Sequence, residues 1–170
     1  MGDEALSLDG LYAAIEAHIS AAVPGLELVA TMPHMLHQLP VPAVVIEVVE
    51  FEPGKDRGTG ETALVVRFEA RVIVAPEQED CQQQAAFVAA QVAGLLRMQS
   101  WGLDVEFAEF VRAAQDWTRP ELDGYAVWVV EWTQQIHLGE QEWPWPNQPP
   151  GTLVFQVGPD AESVEPEGLQ

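Results

Sequence analysis

Basic side chains are scarce in this 170-residue chain: seven Lys and Arg stand against 27 Asp and Glu, a formal net charge of −20. Such a surface repels a phosphate backbone, because affinity for nucleic acid comes largely from Lys and Arg releasing condensed counterions. Tight wrapping of DNA is therefore disfavoured. Cysteine is almost missing too. Cys81 stands alone, so no disulfide can form within one chain. A chain of this length buries roughly two-thirds of the surface its unfolded form exposes and needs neither a bridge nor a structural metal. No apolar run reaches the ~18 residues of a membrane span, and Asp3 and Glu4 are acidic where a signal peptide would be basic. The expectation is one soluble domain made in the cytoplasm. Before residue 160 serine occurs only at Ser7, Ser20 and Ser100, and neither a G-x-S-x-G elbow nor a G-x-x-x-x-G-K-[ST] phosphate loop occurs.

What the chain does have is apolar pattern, with 48% of its residues hydrophobic. After Ser7, a good N-cap, Leu8, Leu11, Tyr12, Ile15, Ile19, Ala22 and Val23 form one stripe of a helix, which Pro24-Gly25 stops. Leu26 to Ala30 reads as a short strand, and Ala43 to Phe51, nearly continuous and β-branched, as a buried one. In the segment Glu61 to Ala75, Val66, Phe68, Ala70, Val72 and Val74 alternate with Arg67, Glu69, Arg71 and Ile73, so one face is apolar and the other largely charged. The spacing predicts a long antiparallel hairpin whose loop, Pro53 to Gly60, is mobile and holds Lys55 and Arg57.

A second helix is predicted to open at Pro76-Glu77-Gln78-Glu79-Asp80, its acidic first turn facing the macrodipole, and to run through Ala85, Val88, Val92 and Leu96. Strands follow at about Glu109 to Trp117 and Tyr125 to Leu138. In the second of these Ala126, Trp128, Val130, Trp132, Ile136 and Leu138 mark one face. The order predicts an α+β domain over residues 1–139: a mostly antiparallel β-sheet with two α-helices packed on one face. Residues 140–170 are rich in proline, hold six carboxylates and no base, and read as an extended acidic arm.

Few residues suggest chemistry. His34 and His37 have the spacing of two ligands on a helix, but Pro33 and Pro40 argue against a helix, and a solvated or interface loop is the simpler reading. His18 and His137 lack a carboxylate partner nearby in sequence. Cys81 falls on an apolar stripe and reads as a small buried hydrophobe. Glu47, Glu50, Glu52 and Glu69 form a solvated face, or the lining of a lumen if copies close into a ring. Of the six tryptophans, Trp128 and Trp132 read as core, whereas Trp143 and Trp145 lie among prolines and suit binding as well as docking on their own domain.

The succession of an amphipathic helix Leu8 to Val23, the strand after Pro42, the strand from Leu64 into an Ala-rich helix, and the aromatic-rich closing segment Leu122 to Gly139 resembles the tail terminator proteins of long-tailed bacteriophages, of the lambda U type and their relatives in Mu-like phages. The likeness covers about residues 7 to 139 and leaves the arm outside. It implies a structural virion protein with no cofactor or reaction. Such a protein caps the tail tube as a six-membered ring, ends tube polymerisation, and meets a head-tail connector or neck protein, while DNA passes without being gripped. Lys55, Arg57, Arg67, Arg71, Trp143 and Trp145 are then expected at contacts with subunits or partners, and Thr152 to Val157 is a segment able to add a strand to a neighbour. A head-completion or neck protein and, more remotely, a small acidic enzyme or ligand-binding module are the other readings.

Overall fold

The computed structural model describes residues 5–31 and 39–142. His34, His37, Trp143, Trp145 and the arm beyond Glu142 lie outside them.

Helix α1 spans Leu8–Ala22 and begins where its sequence signal stands: the Ser7 hydroxyl accepts the Gly10 N–H at 3.1 Å, satisfying one of the unpaired amides of the first turn. Its stripe Leu11, Ile15 and Ile19 is buried. The chain then passes through strands β1 (Leu28–Thr31), β2 (Ala43–Pro53) and β3 (Thr62–Val74), helix α2 (Cys81–Leu95), and strands β4 (Glu109–Gln115) and β5 (Ala126–Leu138). A 3₁₀ turn, Pro120–Leu122, precedes β5. The five strands form one sheet in the order β1-β2-β3-β5-β4, with β1 parallel to β2 and every other pairing antiparallel. The α+β architecture read from the sequence is thus the one observed.

One boundary differs. The segment Pro76 to Asp80 is a turn and not the first turn of α2, because Asp80 takes a left-handed conformation (φ 57°) from which a right-handed helix cannot continue backward. No acidic residue lies in the first turn of α2. Its buried side is Ala85, Val88, Ala89 and Val92, small enough to bring the helix close to the sheet.

Period-two alternation decides the layers. Val66, Phe68, Ala70 and Val72 of β3 and Val130, Trp132 and Ile136 of β5 face α1 and α2 and form the main core with them. Phe68 stacks on Trp132 (centroids 5.1 Å apart, planes 11°), Tyr12 meets the edge of Phe68, and Trp101, from the loop after α2, closes over Trp132 at 6.2 Å. Gln134 is the polar member of that face. It is 1% exposed, accepts the Trp101 indole N–H at 2.8 Å and donates to the Gln99 and Glu106 carbonyls, pinning the loop between α2 and β4 to β5. The other face carries a small apolar cluster at one end, Val45, Ile73, Leu122 and Val127, covered by Leu39, Val41 and Tyr125. Its middle is ionic.

Candidate functional site

The register of the sheet sets three carboxylates in one row on that second face, since Glu47 pairs with Glu69 and Glu69 pairs with Glu131. Like charges directly opposite one another on neighbouring strands repel. Arginines resolve the conflict. Arg71 lies two residues beyond Glu69 on the same face of β3 and donates to Glu47 at 2.8 Å, to Asp116 at 2.7 Å and to Glu69. Arg119 also reaches Glu47, and the Arg112 Nε donates to Glu131 at 2.7 Å. The result is three guanidinium groups among four carboxylates, with the Arg71 and Asp116 side chains only 6% and 4% exposed.

Burial opposes the ionised form of Asp116, but hydrogen bonds from the Thr118 hydroxyl and amide and from Arg71 outweigh it and hold its carboxyl below the usual carboxylate range. Burial likewise opposes the charge on Arg71, and its bonds to Asp116, Glu69 and Glu47 raise its pKa in spite of that. The sign for stability follows. A carboxyl with a lowered folded-state pKa stabilises the fold fully above its unfolded value of about 3.9 and loses that contribution as pH falls through the folded value. Asp116→Asn is therefore expected to flatten the stability profile below pH ~4 relative to the unaltered chain, measured by urea unfolding at stepped pH.

This network takes up several residues read from the sequence as an outward face. Arg71, expected at a subunit contact, is buried by its own chain, and Glu47 and Glu69 are half-buried around it. Glu50 and Glu52 are exposed on β2. Arg67 lies 3.3 Å from Glu50 as a half-exposed ion pair. Asp116, Arg112, Arg119 and Glu131 are participants that the sequence reading did not single out. For Glu131 a signal existed, a charge inside the apolar run Val129-Val130-Glu131-Trp132.

The loop between β2 and β3, expected to be mobile, folds back over β5. The Lys55 amide donates to the Gln135 side chain at 2.9 Å, and Arg57 bridges to Asp104 (3.2 Å) and Glu106 (3.4 Å) on the loop before β4. The Glu142 amide donates to the Thr59 carbonyl, and the neighbouring Gly60 has φ 89° with Glu142 so near that an added Cβ would sit 2.8 Å from it. Beneath this loop His137 is buried. Its Nε2 is 3.1 Å from the Lys55 carbonyl, which only accepts, so Nε2 carries the proton and Nδ1 is left without a partner. His137, Ser7, Glu61, Asp104 and Glu140 line an open cleft of about 960 Å³ beside the start of α1. His18 is elsewhere, packed edge-on against Trp101 with its Nδ1 on the Ala14 carbonyl. Among the described residues no group of three or more His, Cys, Asp or Glu is placed to hold a metal ion, and no helix is long and apolar enough to cross a membrane.

Exposed large apolar side chains occur in more than one place: Phe87 on α2 and Met98 in the loop after it are both exposed, and two further groups lie at the margins of the sheet. Val49 and Phe51 stand on the part of β2 that runs beyond β1, and Phe51 is 49% exposed. At the opposite side of the sheet, Phe110 and Val111 on β4 and Phe107 and Trp117 flanking it are exposed, Trp117 to 73%. Contiguous groups of this kind mark contact surfaces more often than they mark catalytic ones.

No protein-family model matches the chain, and no curated protein matches it. Among solved structures it is similar to the sheath/tube terminator of an extracellular contractile injection system, PVC, determined by cryo-EM in the extended state. The identity is 16% and the TM-score 0.43, over 92% of this chain and 66% of that one. The present chain thus spans just under two-thirds of the length of the protein it is compared with.

Proposed function

We propose that the chain is a structural protein of a phage-type tail, a terminator that caps the tail tube as a ring and presents a surface to the head or neck. The observation that carries this reading is the pair of unlike apolar patches on opposite edges of the sheet, Val49 and Phe51 on one side and Phe107, Phe110, Val111 and Trp117 on the other. Contact between these two unlike patches on successive copies is not isologous. It is a head-to-tail one, which closes a ring where the rotation permits and otherwise extends into a filament. The order of helices and strands follows the pattern on which the sequence resemblance rests, and that resemblance supplies the number six and the identity of the tube as partner. Acidic side chains such as Glu50 and Glu52 suit a wall past which DNA moves without adhering.

The reading is tested by negative-stain imaging of the purified protein and by tube assembly. Closed rings are expected, together with tubes that stop growing when the protein is added. A chain that remains monomeric, or tubes whose length is unaffected, would refute it. Imaging of tails assembled without the protein separates a terminator from a neck protein, since loss of a terminator gives over-long tails whereas loss of a neck protein gives tails of normal length that fail to join heads.

A further inference from the structure

We infer that the outer face of α2 in one copy of the chain packs against the outer face of α1 in the next copy, the two helices antiparallel. The inference deepens the ring reading and rests on it for the order of the copies. It begins from charge. A chain of net charge −20 meets a second copy of itself at least cost where acids are few, since like charges brought together across an interface oppose association. α2, Cys81–Leu95, holds no Asp, Glu, Lys or Arg, although one side of it lies on the surface. Phe87 on that side and Met98 just beyond the helix are 61% and 69% exposed, large apolar side chains that the described chain leaves uncovered. Gly94 belongs to the same side. Glycine weakens a helix interior relative to alanine, and a Cβ added at Gly94 would meet nothing within 4 Å, so the packing of its own chain gives no reason for it. A second helix arriving from outside does, because the distance between packed helices is set by the side chains at the contact.

The fold decides which surface of the next copy arrives there. The Glu16 carboxylate accepts the Thr31 N–H at 2.6 Å, which sets α1 beside β1, and the Gln115 side chain donates to Gln82 at 3.1 Å, which sets the start of α2 beside the end of β4. The two helices thus flank opposite margins of the sheet. They also run in opposite directions. α1 begins beside the end of β5, where Ser7 and Gly10 share a cleft with His137 and Gly139, whereas α2 begins near the start of β5, since Gln115 pairs with Trp128. Where the β4 margin of one copy meets the β2 margin of the next with the strands side by side, α2 of the first comes alongside α1 of the second, antiparallel to it.

The two helix faces match in spacing and in charge. Counting back from Arg97, Gly94, Ala90 and Phe87 follow at intervals of three, four and three residues; counting forward from Gly10, Ala13, Ala17 and Ser20 follow at the same intervals, and every one of these positions is exposed. In an antiparallel pair Gly94 then lies on Ala13 and Ala90 on Ala17, which lets the helices approach closely, while Phe87 covers Ser20. The charges sit at the end of the contact. Neither Arg97 nor Asp9 enters an ion pair among the described residues, and both are exposed. The pairing brings Arg97, past the C-terminus of α2, to Asp9 of the next copy in the first turn of α1, the ends at which the helix dipoles favour a cation and an anion.

The test uses full-length chains in a Cys81→Ser background, one carrying Ala90→Cys and the other Ala17→Cys, mixed and oxidised. A disulfide-linked pair containing one of each is the expected product. Links formed only between two Ala90→Cys chains, closure within a single chain carrying both cysteines, or rings that yield no mixed pair would overturn the helix contact. In the chain without added cysteines, Ala90→Glu is expected to lower the assembled fraction ~10-fold or more in sedimentation while urea unfolding of the domain is unchanged. Arg97→Asp is expected to weaken assembly about fivefold, and Asp9→Arg in the same chain to restore it, because each contact then again joins opposite charges. Loss without that rescue counts against the contact. Rings that form unaltered with Ala90→Glu overturn it and leave the terminator reading standing, whereas an unaltered chain that stays monomeric at every concentration overturns both.

Discussion

Replacing Arg71 with methionine is expected to destabilise the fold by about 3–5 kcal/mol at neutral pH, the cost of removing one member of a buried ionic cluster and leaving the others uncompensated. Methionine matches the aliphatic stem but leaves the space of the guanidinium unfilled, so the loss includes a packing contribution beside the electrostatic one. Glu69 loses its cation, Asp116 keeps only Thr118, and Glu47 keeps only Arg119. The pH dependence gives a second, sharper readout. In the unaltered chain Asp116 has a lowered pKa, so acidification removes stability. In Arg71→Met the part of that lowering due to Arg71 is gone, so the loss of stability on acidification should be shallower than in the unaltered chain. Adding Glu47→Gln, Glu69→Gln and Asp116→Asn to Arg71→Met should recover much of the loss, because neutral partners carry no unpaired charge. Urea denaturation of the three proteins across pH decides the matter. An Arg71→Met variant as stable as the original chain at pH 7 would mean that the cluster is solvated and energetically idle.

The second large effect is expected from Gln134→Leu, roughly 2–4 kcal/mol, although the substitution makes a buried strand position more apolar. Leucine is close to glutamine in size but strips the partner from the Trp101 indole N–H and from the Glu106 carbonyl, while the Gln99 carbonyl keeps the Ala108 N–H. Each orphaned buried polar group costs about 1–3 kcal/mol. The loss should be local before it is global. Amide exchange is expected to quicken in the loop from Met98 to Ala108, while β3 and β5 keep their protection until the whole domain opens. Uniform quickening throughout the protein, with the loop no different from the sheet, would show that Gln134 acts as general packing and not as the tether of that loop.

Both residues lay in segments whose strand character was legible. Alternation along Val66 to Val74 and along Ala126 to Leu138 sufficed to place β3 and β5 and to say which side faces the helices, and that assignment holds residue for residue. Gln134 falls on the apolar side by the same alternation. Its role was not legible, because its partners come from a loop some 30 residues earlier. The same holds for the contact surface. Phe110 and Val111 read in the sequence as ordinary apolar strand residues, and their exposure follows only from β4 being last in the order. Conversely Arg71, Glu47 and Glu69 look like a solvated face, since a charge alternating with valine is what an exposed side of a hairpin shows.

By itself the sequence determined what depends on neighbours in the chain: the capped start of α1, the apolar periods of three to four and of two, the hairpin, and the charge imbalance that disfavours a grip on DNA. Tertiary structure alone decided which charges meet. Asp116 and Arg71 are 45 residues apart and touch because β5 lies between β3 and β4 while the turn after β4 folds back over the sheet. Hydrophobic periodicity is a local property that orients each strand, but it carries no record of strand order. Burial of a charge or exposure of a phenylalanine depends on that order, and so the network within the sheet and the apolar edges at its margins emerged only once the strands were assembled.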